Sequence, residues 1–196
     1  MKKVLHEDRL SFLWLFIGAI LLLFSNGKWV ISIFPWFSMI FLLRFMRMQK
    51  PVKGIIIGAA VNIAVALIIY QGIIPLKGIL YFVVVGAMGC TSFLPYIIDR
   101  LLASRVRTYA SAMVFPLTWV ALEYFNSLLN PYGSWSSIAY TQYGNLPFMQ
   151  VLSITGIWGI SFLVTWFAAT ANWTWENRFE WSKIKKSVIV FTAVFI

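Results

Sequence analysis

Residues 78–98 read GILYFVVVGAMGCTSFLPYII, a stretch without a charged side chain. A helix needs about 20 mainly apolar residues to cross the hydrocarbon core of a bilayer, and this stretch is long enough. Six further apolar segments flank it on both sides. They are Leu10–Phe24, Trp29–Phe45, Gly54–Tyr70, Tyr109–Leu129, Leu152–Trp173 and a run from Ser187 to Ile196. Because these runs are continuously apolar and do not alternate, they predict helices rather than barrel strands.

The composition supports a membrane protein. Of the 196 residues, 61% are hydrophobic and 11% are charged, whereas a soluble domain is about 25% charged. These values exclude a soluble enzyme, a disordered chain and a nucleic-acid-binding domain. With one cysteine, Cys90, and one histidine, His6, we expect no disulfide framework, no metal site, no cofactor and no Ser-His-Asp catalysis.

The predicted fold is all-α, a polytopic transmembrane helical bundle with six complete spans and the start of a seventh. Residues 1–196 form one transmembrane domain in this interpretation. The first segment is short and a tight turn, Ser25–Lys28, joins it to the second, so the pair is either two crossings or a thin, partly re-entrant hairpin. Lys2 and Lys3 before an apolar run are typical of a signal peptide, but no small-residue cleavage site follows.

The basic residues indicate the orientation. Fourteen of the 16 lysines and arginines lie in four clusters: the N-terminal tail, residues 44–53, residues 100–107 and residues 178–186. Only Lys28 and Lys77 lie in the alternate connections. Basic residues near the ends of spans mark the cytoplasmic face, which puts the N-terminus inside and the connection Asn130–Pro147 outside. Because the charges are dispersed over four clusters, we expect no nucleic-acid partner.

Glu123 is the acidic residue placed well inside a predicted span, with Trp119 one turn before it on the same helix face. A charge at such a position is costly and needs a partner. Two interpretations are open: contact with a lipid head group or acyl ester, or a structural hydrogen bond to a neighbouring helix or to the connection Asn130–Pro147. That connection is uncharged, and its aromatic side chains, Trp135 and Tyr140 among them, suit the head-group zone.

Other positions predict packing rather than chemistry. Cys90 has no charged neighbour that would activate a thiol, so we expect a buried structural cysteine. Gly54 and Gly58, and the pair Gly86/Gly89, predict close helix packing. Asn62 is expected to form an interhelical hydrogen bond. Neither a nucleotide-binding loop nor a paired-carboxylate motif is present, and the sequence predicts no catalytic residue.

The second half of the chain resembles a known family. Residues 115–124, FPLTWVALEY, resemble the FP-x-x-W-x-x-x-E-W stretch of bacterial apolipoprotein N-acyltransferases. Residues 131–135, PYGSW, occupy the place of the family's GFPW, and residues 139–142, AYTQ, resemble its GYSQ. Residues 155–163, TGIWGISFL, match its G-V-x-G-V-S-F-L. The order and spacing of these motifs agree with the family over about sixty residues. The rest of the chain resembles the family only in its pattern of apolar segments.

The resemblance implies the membrane part of an enzyme in the bacterial inner membrane, with a nitrilase-type domain expected after residue 196. Such enzymes move an acyl chain from a phospholipid, through a cysteine thioester, to the N-terminal amine of a diacylated lipoprotein. The Glu-Lys-Cys triad belongs to the nitrilase-type domain, so this chain alone is expected to be inactive. The lipid- or substrate-contact candidates are Trp119, Glu123, Trp135, Tyr140 and Gln142.

Two alternatives remain open. PYGS replaces the family's GFP before Trp135, and Asn126 lies near the place of an arginine that often follows the E-W pair. The chain could therefore anchor a different membrane-bound nitrilase-type amidase. It could also be a non-enzymatic membrane module: a lipid-binding protein, a small transporter or an assembly partner.

Overall fold

The structure, a computed structural model, describes residues 10–106 and 108–195, and within these ranges it is all-helical, with no strand. The α-helices are α1 Ser11–Leu23, α2 Phe34–Met48, α3 Pro51–Ile69, α4 Ile79–Leu102, α5 Val114–Leu129, α6 Leu146–Met149, α7 Leu152–Glu176 and α8 Trp181–Phe195. Short 3-10 helices occupy Ala103–Arg105, Tyr109–Met113 and Ile138–Gln142. The predictions for the N-terminal tail, for Arg107 and for Ile196 lie outside the described residues.

Among the described residues, four helical stretches are long and apolar enough to cross a membrane. They are Pro51–Ile69, Ile79–Arg105, Tyr109–Leu129 and Leu152–Glu176. Helix α1 is apolar but has only 13 residues, and α2 has 15, which correspond to about 20 and 22 Å of helix at 1.5 Å per residue. A membrane helical bundle therefore agrees with the structure, and six spans remain an expectation.

The second segment differs from its predicted bounds. Trp29–Ile33 form an irregular connection that ends in a turn and not the start of a helix, and α2 begins at Phe34 with Pro35 in its first turn. Proline suits a first turn because the backbone N–H that it lacks has no intrahelical partner there. The helix then continues past Phe45 to Met48, so Arg44 and Arg47 are helical rather than part of a connection.

The helices run between two ends of different chemistry. At the "basic end", Arg47 of α2 meets Asp99 of α4 and Glu176 of α7. At the opposite "loop end", the connection between α5 and α6 contacts the chain just before α2, since Gln142 bonds to Ser32. Helix α2 thus extends from one end to the other in spite of its length.

Helices α3 and α4 pack closely together at positions where one of them has a glycine. A Cβ atom on Gly58 would lie 2.5 Å from Cζ of Phe93, and one on Gly89 would lie 3.0 Å from Cα of Ile63. Asn62 Nδ2 donates to the carbonyl oxygen of Gly89 at 2.8 Å. The predicted close packing and the interhelical hydrogen bond are confirmed at these positions. Gly86 differs, because its Cβ would meet nothing within 4 Å.

The prediction for Cys90 is wrong, because the thiol is exposed on the outer surface of α4 and is not buried. Cys90 follows Gly89 directly, and a helix rotates by about 100° per residue, so a buried glycine leaves its neighbour on a different face. The helix has one apolar face against the bundle and another against its surroundings, and in a membrane protein both are apolar. Hydropathy alone does not separate these two faces.

Candidate functional site

The connection from Asn130 to Asn145 folds back over the ends of the helices. Gly133 and Gly144 have φ values of 62° and 93°, in the left-handed region that glycine adopts easily. Ser136 has φ 75° as well, which is uncommon for a residue with a Cβ atom. Between Ser136 and Gly144 lies the 3-10 helix Ile138–Gln142, whose first N–H, that of Ile138, donates to Glu123 of α5.

Glu123 holds this connection to α5. Its Oε1 accepts hydrogen bonds from Nε1 of Trp119 at 2.9 Å and from the backbone N–H of Ile138 at 2.8 Å. Its Oε2 accepts from Oγ of Ser137 at 2.9 Å. Trp119 and Glu123 meet because they are four residues apart on one helix. Of the two interpretations of Glu123, the structure shows the structural hydrogen bond to the connection.

Ser137 extends the attachment to α7. Its Oγ lies 3.1 Å from Oγ of Ser161, and both side chains are buried. A hydroxyl has one proton to donate. Since the proton of Ser137 goes to Glu123, Ser161 must donate to Ser137. One continuous hydrogen-bonded path therefore joins α5, the connection and α7.

Gln142 attaches the other side of the connection to α2. It is 1% exposed, and its Oε1 accepts from Nε1 of Trp36 at 3.1 Å. Its Nε2 donates to the carbonyl oxygen of Ser32 at 2.7 Å and to Oγ1 of Thr141 at 2.9 Å. Every polar atom of this side chain has a partner, as buried polar groups require.

Trp135 and Tyr140 lie on the surface of the connection, 39% and 52% exposed. The Trp135 ring contacts the ring of Tyr70 at the end of α3, with centroids 5.8 Å apart. The hydroxyl of Tyr140 is 2.8 Å from Oγ of Ser134.

The five candidate residues thus fall into two groups. Glu123 and Gln142 attach the connection to α5 and to the start of α2, and Trp119 donates to Glu123. Trp135 and Tyr140 present aromatic surface at the loop end. Among the described residues, no group of three or more His, Cys, Asp or Glu side chains could hold a metal ion.

The basic end contains a buried ion cluster that the sequence interpretation missed. Asp99 is fully buried near the end of α4, just beyond the predicted span 78–98. Arg47 binds it with two hydrogen bonds, Nε to Oδ2 at 2.8 Å and Nη2 to Oδ1 at 2.7 Å. Glu176 of α7 lies 3.4 Å from Nη1 of the same arginine. The one available signal was that both acids sit within a few residues of a predicted span end.

Comparison with known proteins gives a consistent family. The sequence model described as the apolipoprotein N-acyltransferase N-terminal domain matches residues 18–170. An apolipoprotein N-acyltransferase of Geobacter metallireducens is 50% identical over 50 residues, 26% of this chain and 10% of the relative. Apolipoprotein N-acyltransferase 1 of Treponema denticola is 27% identical over 173 residues, 86% of this chain and 32% of the relative.

A third relative, the apolipoprotein N-acyltransferase of Rickettsia typhi, is 33% identical over 86 residues, or 43% of this chain and 17% of the relative. The chain therefore spans a third or less of the length of these curated relatives. No solved structure matches it.

Proposed function

The chain belongs to the apolipoprotein N-acyltransferase family, and we propose that it is the membrane-embedded portion of an enzyme that transfers a phospholipid acyl chain to the N-terminal amine of lipoproteins. The match to the family's N-terminal domain over residues 18–170 carries this proposal. The relatives are at least three times longer than the matched part. A nitrilase-type domain after residue 196 would supply the reacting groups, and residues 1–196 would form the transmembrane domain.

The loop end faces the outside of the bacterial inner membrane in this proposal, and the N-terminus and the basic end face the cytoplasm. The separation of charge supports it: Arg47 and Arg100 lie at the end where α2 meets α4, whereas Lys28 and Lys77 belong to the opposite end. Thiol labelling tests the orientation. In a Cys90→Ser background, a membrane-impermeant reagent should reach Asn145→Cys in intact spheroplasts and Lys183→Cys only after lysis. The reverse pattern would contradict it.

The connection between α5 and α6 serves as a fixed platform for the lipid substrates. Glu123 accepts from Ser137 and from the backbone N–H of Ile138 on one side, and Gln142 bonds to Trp36 and to the carbonyl oxygen of Ser32 on the other. This leaves Trp135 and Tyr140 in place at the membrane surface, where amphipathic rings are favoured. Holding an acyl ester and an acceptor amine in fixed geometry accounts for a large part of the rate in acyl transfer. In this proposal the connection is positioned by Trp119, Glu123 and Gln142. The lipid substrates are contacted by Trp135 and Tyr140.

The first test is to read the nucleotide sequence downstream of the codon for Ile196. A coding region for a nitrilase-type domain with a Glu-Lys-Cys triad is expected. Its absence in every frame would overturn the proposal. In vesicles with phospholipid and a diacylated lipopeptide, the longer protein should form the N-acylated product, detected by mass spectrometry. The 196-residue chain alone should form neither product nor acyl-thioester.

The second test concerns the platform. In the longer enzyme, Trp135→Ala should lower the rate of acyl transfer at least several-fold, with the amount of folded protein unchanged. Trp181→Ala is the matched control, because Trp181 is also exposed, at 60%, but lies at the basic end. Equal turnover of Trp135→Ala and wild type would remove the case for Trp135 and leave the family membership intact.

A further inference from the structure

An apolar groove lies between α2, α7 and α8, and it extends from Phe37 and Phe167 to Trp175 and Phe179 near the basic end. It is open on one side and has a volume of about 400 Å³. Phe37 and Phe41 of α2 form one wall, and Phe191 of α8 forms the other. Ala171 of α7 lies at the groove between the larger side chains Phe167 and Trp175.

The groove runs along the helices. On α7 its lining extends from Phe167 to Trp175, which at 1.5 Å per residue is about 12 Å. The hydrocarbon thickness of a single leaflet is about 15 Å, half of the full core. The groove is thus nearly as long as a leaflet is deep, and its apolar walls match a single acyl chain lying parallel to the helices.

Cations flank one end of this groove. At that end the guanidinium of Arg44 lies 5.0 Å from the centre of the Trp175 ring. Arg178 precedes Phe179, a lining residue, and is exposed. Lys185 is exposed and lies one turn before Val188, another lining residue, on the same side of α8.

The acidic groups that the structure describes near this end are already paired. Glu176 pairs with Arg47, and Glu180 pairs with Lys183. Neither Arg178 nor Lys185 has an ion pair within residues 10–106 and 108–195. The described residues at this end of the groove therefore carry a net positive charge beside an apolar channel, and an anionic head group with an acyl chain complements both.

We propose that the groove between α2, α7 and α8 binds one anionic phospholipid, with an acyl chain along Ala171 and the phosphate at Arg178 and Lys185. Basic pockets between transmembrane helices are typical sites for anionic head groups. This lipid is distinct from a substrate, since its phosphate lies at the basic end and not at the platform beside Trp135. The inference rests on the proposal that the chain is a membrane domain, and it does not depend on the proposal that the enzyme transfers an acyl chain.

Native mass spectrometry of the chain in detergent, with phosphatidylglycerol or phosphatidylcholine of identical acyl chains, tests the proposal. Wild type should retain one phosphatidylglycerol in preference to phosphatidylcholine. Ala171→Phe should abolish retention, because the new ring fills the channel. Ala87→Phe, at an exposed position of α4, is the matched control and should retain the lipid. A melting curve for each variant verifies that it is folded.

The head group is tested by charge. Arg178→Gln/Lys185→Gln should weaken phosphatidylglycerol binding at least tenfold, since each cation near the surface contributes to the attraction. Lys28→Gln/Lys77→Gln removes the same charge from the opposite end and should have no effect. Equal retention of both lipids by wild type, unchanged binding in the charge variant, or a groove filled by a second copy or by another segment of the chain would overturn the proposal.

Discussion

The two ends of the molecule are each held by a carboxylate, but in different ways. At the loop end, half-buried Glu123 accepts three hydrogen bonds from neutral donors and fixes a connection to one helix. At the basic end, fully buried Asp99 pairs with the guanidinium of Arg47 and joins two helices, with Glu176 bringing in a third. The first carboxylate orders a surface, whereas the second holds the bundle together.

The difference lies in what happens when each carboxylate is lost. Removing one partner of a buried ion pair leaves the other charged and desolvated, which costs more than the pair itself contributes. Removing the charge of Glu123 leaves behind only neutral donors, which can turn toward other acceptors or water. The basic end is therefore expected to be the more sensitive of the two.

The largest effect is expected for Asp99→Asn. This change leaves Arg47 without its bidentate partner and should lower the free energy of unfolding by about 3 kcal/mol or more. Chemical unfolding in detergent, followed by circular dichroism, measures it. Arg47→Met/Asp99→Leu should recover most of the loss. Glu180→Gln, which breaks an exposed pair at the same end, should leave unfolding unchanged. A double variant as unstable as Asp99→Asn would contradict this account.

A smaller, local effect is expected for Glu123→Gln. An amide keeps one acceptor but loses the charge-assisted hydrogen bonds, so stability should fall by about 1.5 kcal/mol. Hydrogen exchange should show the change most clearly at the backbone N–H of Ile138, which bonds to Glu123 directly. Ser134→Ala removes the bond to Tyr140 and should not accelerate that exchange. Uniform acceleration across all helices would show that Glu123 also holds the bundle.

The smallest effect is expected between the two ends, where α3 packs on α4 without charges. In Gly58→Ala the new methyl group meets the Phe93 ring at 2.5 Å, and overpacking of this kind costs about 1 kcal/mol. Gly86→Ala, with open space around it, should show no loss. Thermal melting of the two variants side by side decides the matter. Equal melting temperatures would mean that the interface accommodates the methyl group without losing stability.

The long spans could be predicted because hydropathy and length are local properties of the chain. Residues 54–70, 78–98, 109–129 and 152–173 each correspond to a helix of the structure within a few residues. The start of α2 could not be predicted in the same way. Trp29–Ile33 are mostly apolar, and they form an irregular connection instead of a helix.

Part of the candidate site was visible in the sequence. A lone acid inside an apolar run draws attention, and Trp119 at a spacing of four residues is a local partner for Glu123. The remaining donors, Ser137 and Ile138, come from a connection whose fold depends on glycine and serine turns. The contact of Trp135 and Tyr140 with lipid stays a prediction.

The ion cluster could not be found from the chain alone. Asp99 lies directly after the apolar run and reads as the start of a polar connection. Its partner Arg47 is 52 residues away, and Glu176 is 129 residues from Arg47. A pairing over such distances depends on how α2, α4 and α7 pack, which no local pattern encodes.

The exposed thiol on α4 has a practical consequence. Cys90 is the one cysteine in the sequence, and it points away from the bundle. A nitroxide attached there needs no background mutation, and its collisions with oxygen and with a water-soluble nickel chelate measure immersion depth directly. The native chain thus provides a labelling site for measuring how deeply α4 lies in the bilayer. This site is close to the midpoint of the 24-residue helix.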